Sequence, residues 1–401
     1  MSTDLRARLV DAAGYALCAA FAGVTALTST LLPHRAWGEI AWIGYAVAVV
    51  AVLVLGRLRV VPLVFAATAL APLLVEAVQR AAGRTDRAQE EVLVVERMGE
   101  RLAHTGTPYL GHTAIAALPD GERLLGYAPY QPGMALFGLP RAAFGPAWWT
   151  DARVWFAVVT VLCLGYTMSL LRPVSAPARS LRLAQAVAVL PLCTLTLATG
   201  GDDLPVLTLC LLATALAARA RLTAAGVAVG LAGALKLFAL PVAAVLLVLA
   251  FTRAGPRRAA QYALAAFGIP LLALVPALLV DADAYIENAV RFPAGHGLVT
   301  SPAQSPLPGH LIATAVPAGR AIALALLLLA GVAIAFLLLR RPPDTAGTAA
   351  AYVAAGLTTA ILLTPSTRFG YLLYPVAFLA LWWSLREDAP TDRVTPPSHP
   401  A

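Results

Sequence analysis

Residues 84–151 read RTDRAQEEVLVVERMGERLAHTGTPYLGHTAIAALPDGERLLGYAPYQPGMALFGLPRAAFGPAWWTD, the one long charge-rich segment between hydrophobic runs. The runs on either side are long enough to cross a bilayer, so this segment is a loop hung from a membrane-embedded body. Its first half, Asp86 to His104, mixes Glu90, Glu91, Glu96 and Glu100 with Val92, Leu93, Val94, Val95 and Met98. That mixture predicts an amphipathic helix lying on a membrane surface. The second half carries Gly106-Thr107-Pro108-Tyr109 and Tyr127-Ala128-Pro129-Tyr130-Gln131-Pro132, whose prolines and glycines break helices. One acidic, aromatic loop therefore stands on one face of the body, and chemistry is expected there.

Composition agrees. Hydrophobic residues make up 60% of the chain and charged residues 12%, against about 25% charged in soluble domains. The net charge of +8 comes from basic residues that punctuate the hydrophobic runs, which marks cytoplasmic loops rather than a nucleic-acid surface. The cysteines Cys18, Cys163, Cys193 and Cys210 all lie within apolar runs and read as packing residues. The apolar run after Arg6 and Arg8 is of bilayer length, so it reads as a retained helix rather than a cleaved signal.

Charge at the helix ends sets an expected topology. The helices fall at about 12–32, 38–55, 60–80, 152–171, 183–199 and 205–218, then a short pair within 223–252 meeting near Lys236 to Pro241, then about 259–280, 321–339, 348–363 and 371–385. This is an all-α polytopic membrane protein with about 12 membrane helices, two of them the short pair. A single domain over 1–386 carries external loops at about 81–151 and 281–320, with a disordered cytoplasmic tail at 387–401. Both termini face the cytoplasm of the plasma membrane, and the acidic clusters face outward. No internal repeat and no Walker-type phosphate loop is present.

Several residues suggest chemistry. Lys236 is the only lysine, and a charge within an apolar run is paired or lines a cavity; it is expected to meet a phosphate or carboxylate. Gly226, Gly230 and Gly233 before it have the small-xxx-small spacing of close helix packing. Asp202 and Asp203 precede Pro205 at a helix start; N-capping accounts for one aspartate but not two. The second external loop holds Asn288, Arg291, His296 and His310, suited to an anionic head group. His296 and His310 match no metal spacing, so no metal is expected. Arg368 reads equally as an interfacial anchor or a phosphate contact. Asp86, Glu90 and Glu91 are candidate bases, and Arg87, one turn away, would keep the glutamates ionised.

From Glu91 to Pro132 the chain resembles the first external loop of GT-C membrane glycosyltransferases, notably the polyprenol-phosphate-mannose-dependent enzymes of actinobacteria. The shared points are an acidic residue (Glu91), the helix to Ala103, Gly106-Thr107-Pro108-Tyr109, and Tyr127-Ala128-Pro129. GGDDLPVL at 200–207, GLAGALK at 230–236 and Pro365-Ser366-x-Arg368-x-x-Tyr371 are similar too. The resemblance implies a GT-C-like helical bundle with its active site at the outer membrane face. It implies transfer of mannose or another pentose or hexose from a polyprenyl-phosphate-linked sugar to an envelope glycolipid or glycan. Such a hexosyltransferase uses an acidic base and inverts the anomeric carbon. Glu91 aligns with the family's aspartate, with Asp86 and Glu90 as rivals. Two additional helices precede the loop where one is typical, which leaves acceptor entry open.

On this reading Lys236, Arg291, His296 and Arg368 contact the donor phosphate, and Tyr109, Tyr127, Tyr130, Asp202, Asp203 and His310 contact substrate. No cofactor or metal is required, because the sugar arrives on a lipid phosphate; membrane lipids are partners and nucleic acid is not. Two other classes compete: a secondary transporter working through Lys236 in a broken helix pair, and a non-catalytic envelope-assembly protein.

Overall fold

The structure, a computed structural model, describes residues 3–386; the tail expected at 387–401 lies outside them. The first apolar runs fold as α1 (Thr3–Thr28), α2 (Leu32–Leu55) and α3 (Arg57–Ala81). The charged segment then forms α4 (Glu90–Thr105), and the chain returns through α5 (Ala152–Leu171). A bent pair follows, α6 (Pro177–Ala188) and α7 (Pro191–Thr199), then α8 (Asp203–Ala218) and α9 (Leu222–Leu235). The rest is α10 (Ala239–Ile286), α11 (Gly319–Arg340), α12 (Ala346–Leu363) and α13 (Leu373–Leu385).

Gly255 breaks α10 with a φ of 77°, and the two limbs fold back on each other, since the Tyr262 hydroxyl donates to the Ala243 carbonyl at 3.0 Å. With the bent pair as one pass and these limbs as two, the described residues make twelve apolar passes. They form no strand beyond an isolated bridge between Gln304 and Thr367. Leu264 and Leu279 on α10 are 78% and 82% exposed. A soluble protein would not leave such a surface to water. This is a multi-pass membrane protein.

The contacts sort into two ends, as the charge pattern requires. At one end the 84–151 loop meets the ends of other helices: Gln89 N–H bonds the Thr199 carbonyl at 2.9 Å, and Gln131 N–H bonds Leu235 at 3.0 Å. At the other end the arginine-rich connections gather. Asp11 of α1 accepts from Arg57 and Arg182, both at 2.6 Å, and the Tyr352 hydroxyl donates to the Arg341 carbonyl at 2.8 Å.

Three details differ from the periodicity. The α1 helix stops at Thr28 because Pro33 starts α2 early, at the first-turn position where its missing N–H is harmless. The fifth pass starts at Pro177 and bends by 40°, since Pro191 forces Leu190 into an extended conformation. And α4 is amphipathic as expected, but its apolar side packs on the 132–138 turn rather than on lipid. The approach is close: a Cβ on Gly99 would stand 2.2 Å from the Gly138 carbonyl carbon.

The glycine stripe of α9 packs on the second limb of α10. A Cβ on Gly226 would lie 2.5 Å from the Tyr262 carbonyl oxygen, and one on Gly230 2.5 Å from that of Ala265. Gly226→Leu is therefore expected to lower stability by about 1–3 kcal/mol through overpacking, seen as a lower melting temperature in detergent. Gly268→Ala, whose nearest neighbour would be 3.9 Å away, should not lower it.

Candidate active site

The loop is anchored by buried charge. Arg153, in the first turn of α5, has no solvent access. Its guanidinium donates to both Asp151 oxygens at 2.9 Å, to Glu76 of α3 at 3.1 Å and to the Ala198 carbonyl of α7 at 2.8 Å. Arg80, one turn after Glu76, donates to Asp151 at 2.9 Å and to Glu96 of α4 at 2.7 Å. Arg141 reaches the same Glu96 at 3.2 Å. Three carboxylates and three guanidiniums thus tie the loop helix to α3, α5 and α7.

This anchor fixes the start of α4. The Gln89 side-chain oxygen accepts from the Thr199 hydroxyl at 3.0 Å, so the first turn sits against the end of α7. Glu91 lies in that turn, where the helix dipole favours an ionised carboxylate. It pairs with Arg368, and the two side chains keep 14% and 31% of their surface exposed. Glu90 beside it is exposed. Asp86 accepts from Arg84 at 2.8 and 2.9 Å and from Arg87 at 2.7 Å. The Arg84 hydrogen bond chiefly holds its pKa down at about 2.

A second polar centre stands beside the first. Lys236 ends α9 in an extended conformation, and its ammonium lies 2.7 Å from both Asp202 and Asp203. Gly201 turns the chain with a φ of 86°, a conformation that favours glycine. Neither aspartate makes a side-chain cap bond to α8; the pair serves the lysine. The Tyr374 hydroxyl donates to Asp203 at 2.8 Å, and the ammonium lies 5.2 Å from the Tyr130 ring and 5.9 Å from the Tyr371 ring. The Tyr371 N–H also donates to the Arg368 carbonyl at 3.1 Å, so the two centres adjoin.

The remaining expected residues hold the 84–151 loop against the 287–310 segment. The Tyr127 hydroxyl donates to Glu287 at 2.9 Å, accepts from Leu298 N–H at 2.8 Å, and its ring stacks on Phe292 at 4.2 Å. Asn288 accepts from Ala128 N–H and donates to the Leu110 carbonyl, both at 2.7 Å. Tyr109 donates to the Tyr130 carbonyl at 2.7 Å. Arg291 sits 3.4 Å from Glu287, His310 bonds the Pro365 carbonyl at 3.0 Å, and His296 is exposed. The structure therefore joins Glu91 with Arg368 and Lys236 with Asp202, Asp203 and Tyr130. It leaves Glu90, Asp86, Arg291, His296 and His310 outside that group.

A sequence model of glycosyltransferase family 87 matches residues 127–365. The chain belongs to that family. The match includes Asp202, Asp203 and Lys236, while Arg368 falls just after it and Glu91 well before it. No functionally curated protein matches the sequence. Among solved structures, ArnT from Cupriavidus metallidurans bound to undecaprenyl phosphate has the same fold: TM-score 0.51, 16% identity, covering 81% of this chain and 59% of that one. Its apo form gives 0.49 and 17% over the same shares. The family 87 chain thus spans about three-fifths of the ArnT length, with a GT-C-type helical fold.

Sequence reading missed the anchor, although its signal was present. Glu76 and Arg80 stand four residues apart in an apolar helix, and Asp151-x-Arg153 opens the next pass; unpaired charges there would be costly. Arg153→Leu should strand Glu76, leave Asp151 with Arg80 alone, and cost about 3–5 kcal/mol. A thermal melt and faster proteolysis within residues 84–151 will report it.

Proposed function

We propose that this protein moves a sugar from a polyprenyl phosphate to a glycolipid or glycan hydroxyl, with inversion, using Glu91 as general base and Arg368 as donor-phosphate contact. The observation that carries the reading is the Glu91–Arg368 pair, a carboxylate and a guanidinium together at a partly exposed edge. Family membership and an ArnT structure that holds undecaprenyl phosphate support the chemistry. The reacting end faces the outside of the plasma membrane, as the arginine-rich opposite end suggests.

In the ground state each group of the pair neutralises the other. A donor phosphate competes for the guanidinium, which fits a planar fork to phosphate oxygens, and its binding releases the Glu91 carboxylate. Glu91 then takes the acceptor hydroxyl proton. The acceptor oxygen forms its bond to the anomeric carbon from the face opposite the phosphate. The bond from that carbon to the phosphate oxygen breaks, and the lipid phosphate leaves with the electron pair beside Arg368. The leaving group is already a phosphate monoester, so a metal is not obligatory. Lys236, enclosed by its two aspartates, orders the wall of the site and Tyr130 rather than acting as a free cation. The sugar we favour is a hexose such as mannose, on the sequence resemblance.

Asp86 suits the base role poorly: a carboxylate held at about 2 has little affinity for a proton. The depressed value also means the Arg84–Asp86 pair forms above about pH 4 and is lost only as pH falls towards 2. Any acidic limb in activity above pH 4 therefore belongs to another group, and Asp86→Asn should leave that limb in place.

The decisive assay uses the protein in lipid with labelled decaprenyl-phosphate-mannose and a membrane-lipid extract as acceptor. Glu91→Gln is expected to lower transfer by at least 100-fold, in the range of lost general-base catalysis, with donor binding retained. Glu90→Gln should stay within a few-fold of the parent. Full activity in Glu91→Gln would remove Glu91 from the mechanism. Failure to bind any polyprenyl-phosphate sugar would overturn the substrate class.

A further inference from the structure

A cleft of about 210 Å³ lies between the α1–α2 turn and the 84–87 segment, at the same end as the candidate active site. Its charged lining is Arg35, Glu39, Arg84, Asp86 and Arg87. Pockets for whole drug-sized ligands start near 300 Å³, and this volume equals that of about seven waters. It suits a head group rather than a glycan.

The charges in the cleft do not close on themselves. Among the described residues Asp86 is the one carboxylate paired with both Arg84 and Arg87, and Arg87 also donates Nε to the Gln79 side-chain oxygen at 2.5 Å. Arg35 donates Nε to the Ala26 carbonyl at 3.2 Å and one terminal nitrogen to Leu27 at 3.3 Å. Those two carbonyls hold its guanidinium in place but bring no carboxylate, and Arg35 has no ion pair among the described residues. Three arginines against two carboxylates leave one positive charge in excess, the setting for a phosphate-type anion.

The surroundings are those of a lipid. Leu32 and Ala26 line the cleft, and the helices below present Val24, Leu27 and Ile43 at 58%, 77% and 51% exposure. An acyl chain would have apolar helix surface directly beneath a basic cup, an arrangement suited to phospholipid head groups. None of the donor-phosphate candidates lines the cleft. We propose that this cleft binds the anionic, phosphate-type head group of a membrane lipid. This inference does not rest on sugar transfer, because binding itself is the readout.

The test measures binding of phosphatidic acid and of phosphatidylcholine to the detergent-solubilised full chain by native mass spectrometry. Phosphatidic acid should bind more tightly, and Arg35→Gln should weaken it roughly tenfold, the scale of one charged hydrogen bond. The exposed Arg84→Gln, which leaves the α1–α2 turn untouched, should weaken it as well. Glu39→Gln, which removes a competing carboxylate, should tighten it. Equal binding of the two lipids, or affinity unchanged in all three variants, would overturn the proposal. Displacement of phosphatidic acid by an equal concentration of inorganic phosphate would replace the lipid with a soluble anion.

Discussion

Arg153 carries a full charge to a place with no solvent, and the half of the molecule that bears the 84–151 loop is arranged around meeting it. Burying such a group is tolerable only when its hydrogen bonds are met by opposite charge. The chain meets the need with Asp151 two residues away, Glu76 on the preceding pass and a carbonyl at the end of α7. Because Asp151 also binds Arg80, and Arg80 binds Glu96, the same charge fixes where α4 lies. Glu91 owes its position to an arginine it never touches.

A similar economy governs the neighbouring centre. Lys236 interrupts the α9–α10 hairpin, and an ammonium in that apolar setting would be prohibitive alone. Two consecutive aspartates from the α7–α8 turn enclose it, and Tyr374 of α13 closes one of them. The α7–α8 turn, the α9–α10 junction and the distant α13 are thereby locked together. An enzyme that must hold a reactive sugar needs such rigidity near the reacting atoms more than it needs another exposed charge.

Much of this was legible in the sequence. Run length gave the apolar helices and their order, because bilayer thickness leaves few alternatives. The pairing of Glu91 with Arg368, 277 residues apart, was not legible. Both residues stood out singly, yet no local period connects residue types brought together by tertiary packing. Asp202 and Asp203 show the same limit. A helix start explains one aspartate, but the second is intelligible only once Lys236 is seen beside both. The bend at Pro191 was written locally and hidden by an apolar run that continues through it.

The exposed pair and the buried clusters differ in what they permit. Around Arg153 and Lys236 the partners are enclosed, so exchange of any one exposes a stranded charge and is strongly opposed. Glu91 and Arg368 meet where both retain contact with solvent, and pairs of that kind contribute about 0–1 kcal/mol. The lipid phosphate that leaves, a monoester able to carry two charges, offers the guanidinium a better partner than one carboxylate. The weakness of this pair is therefore what suits it to chemistry. The buried charges hold the frame rigid, while the Glu91–Arg368 pair, which bears the candidate base, is exposed enough for a phosphate to open cheaply.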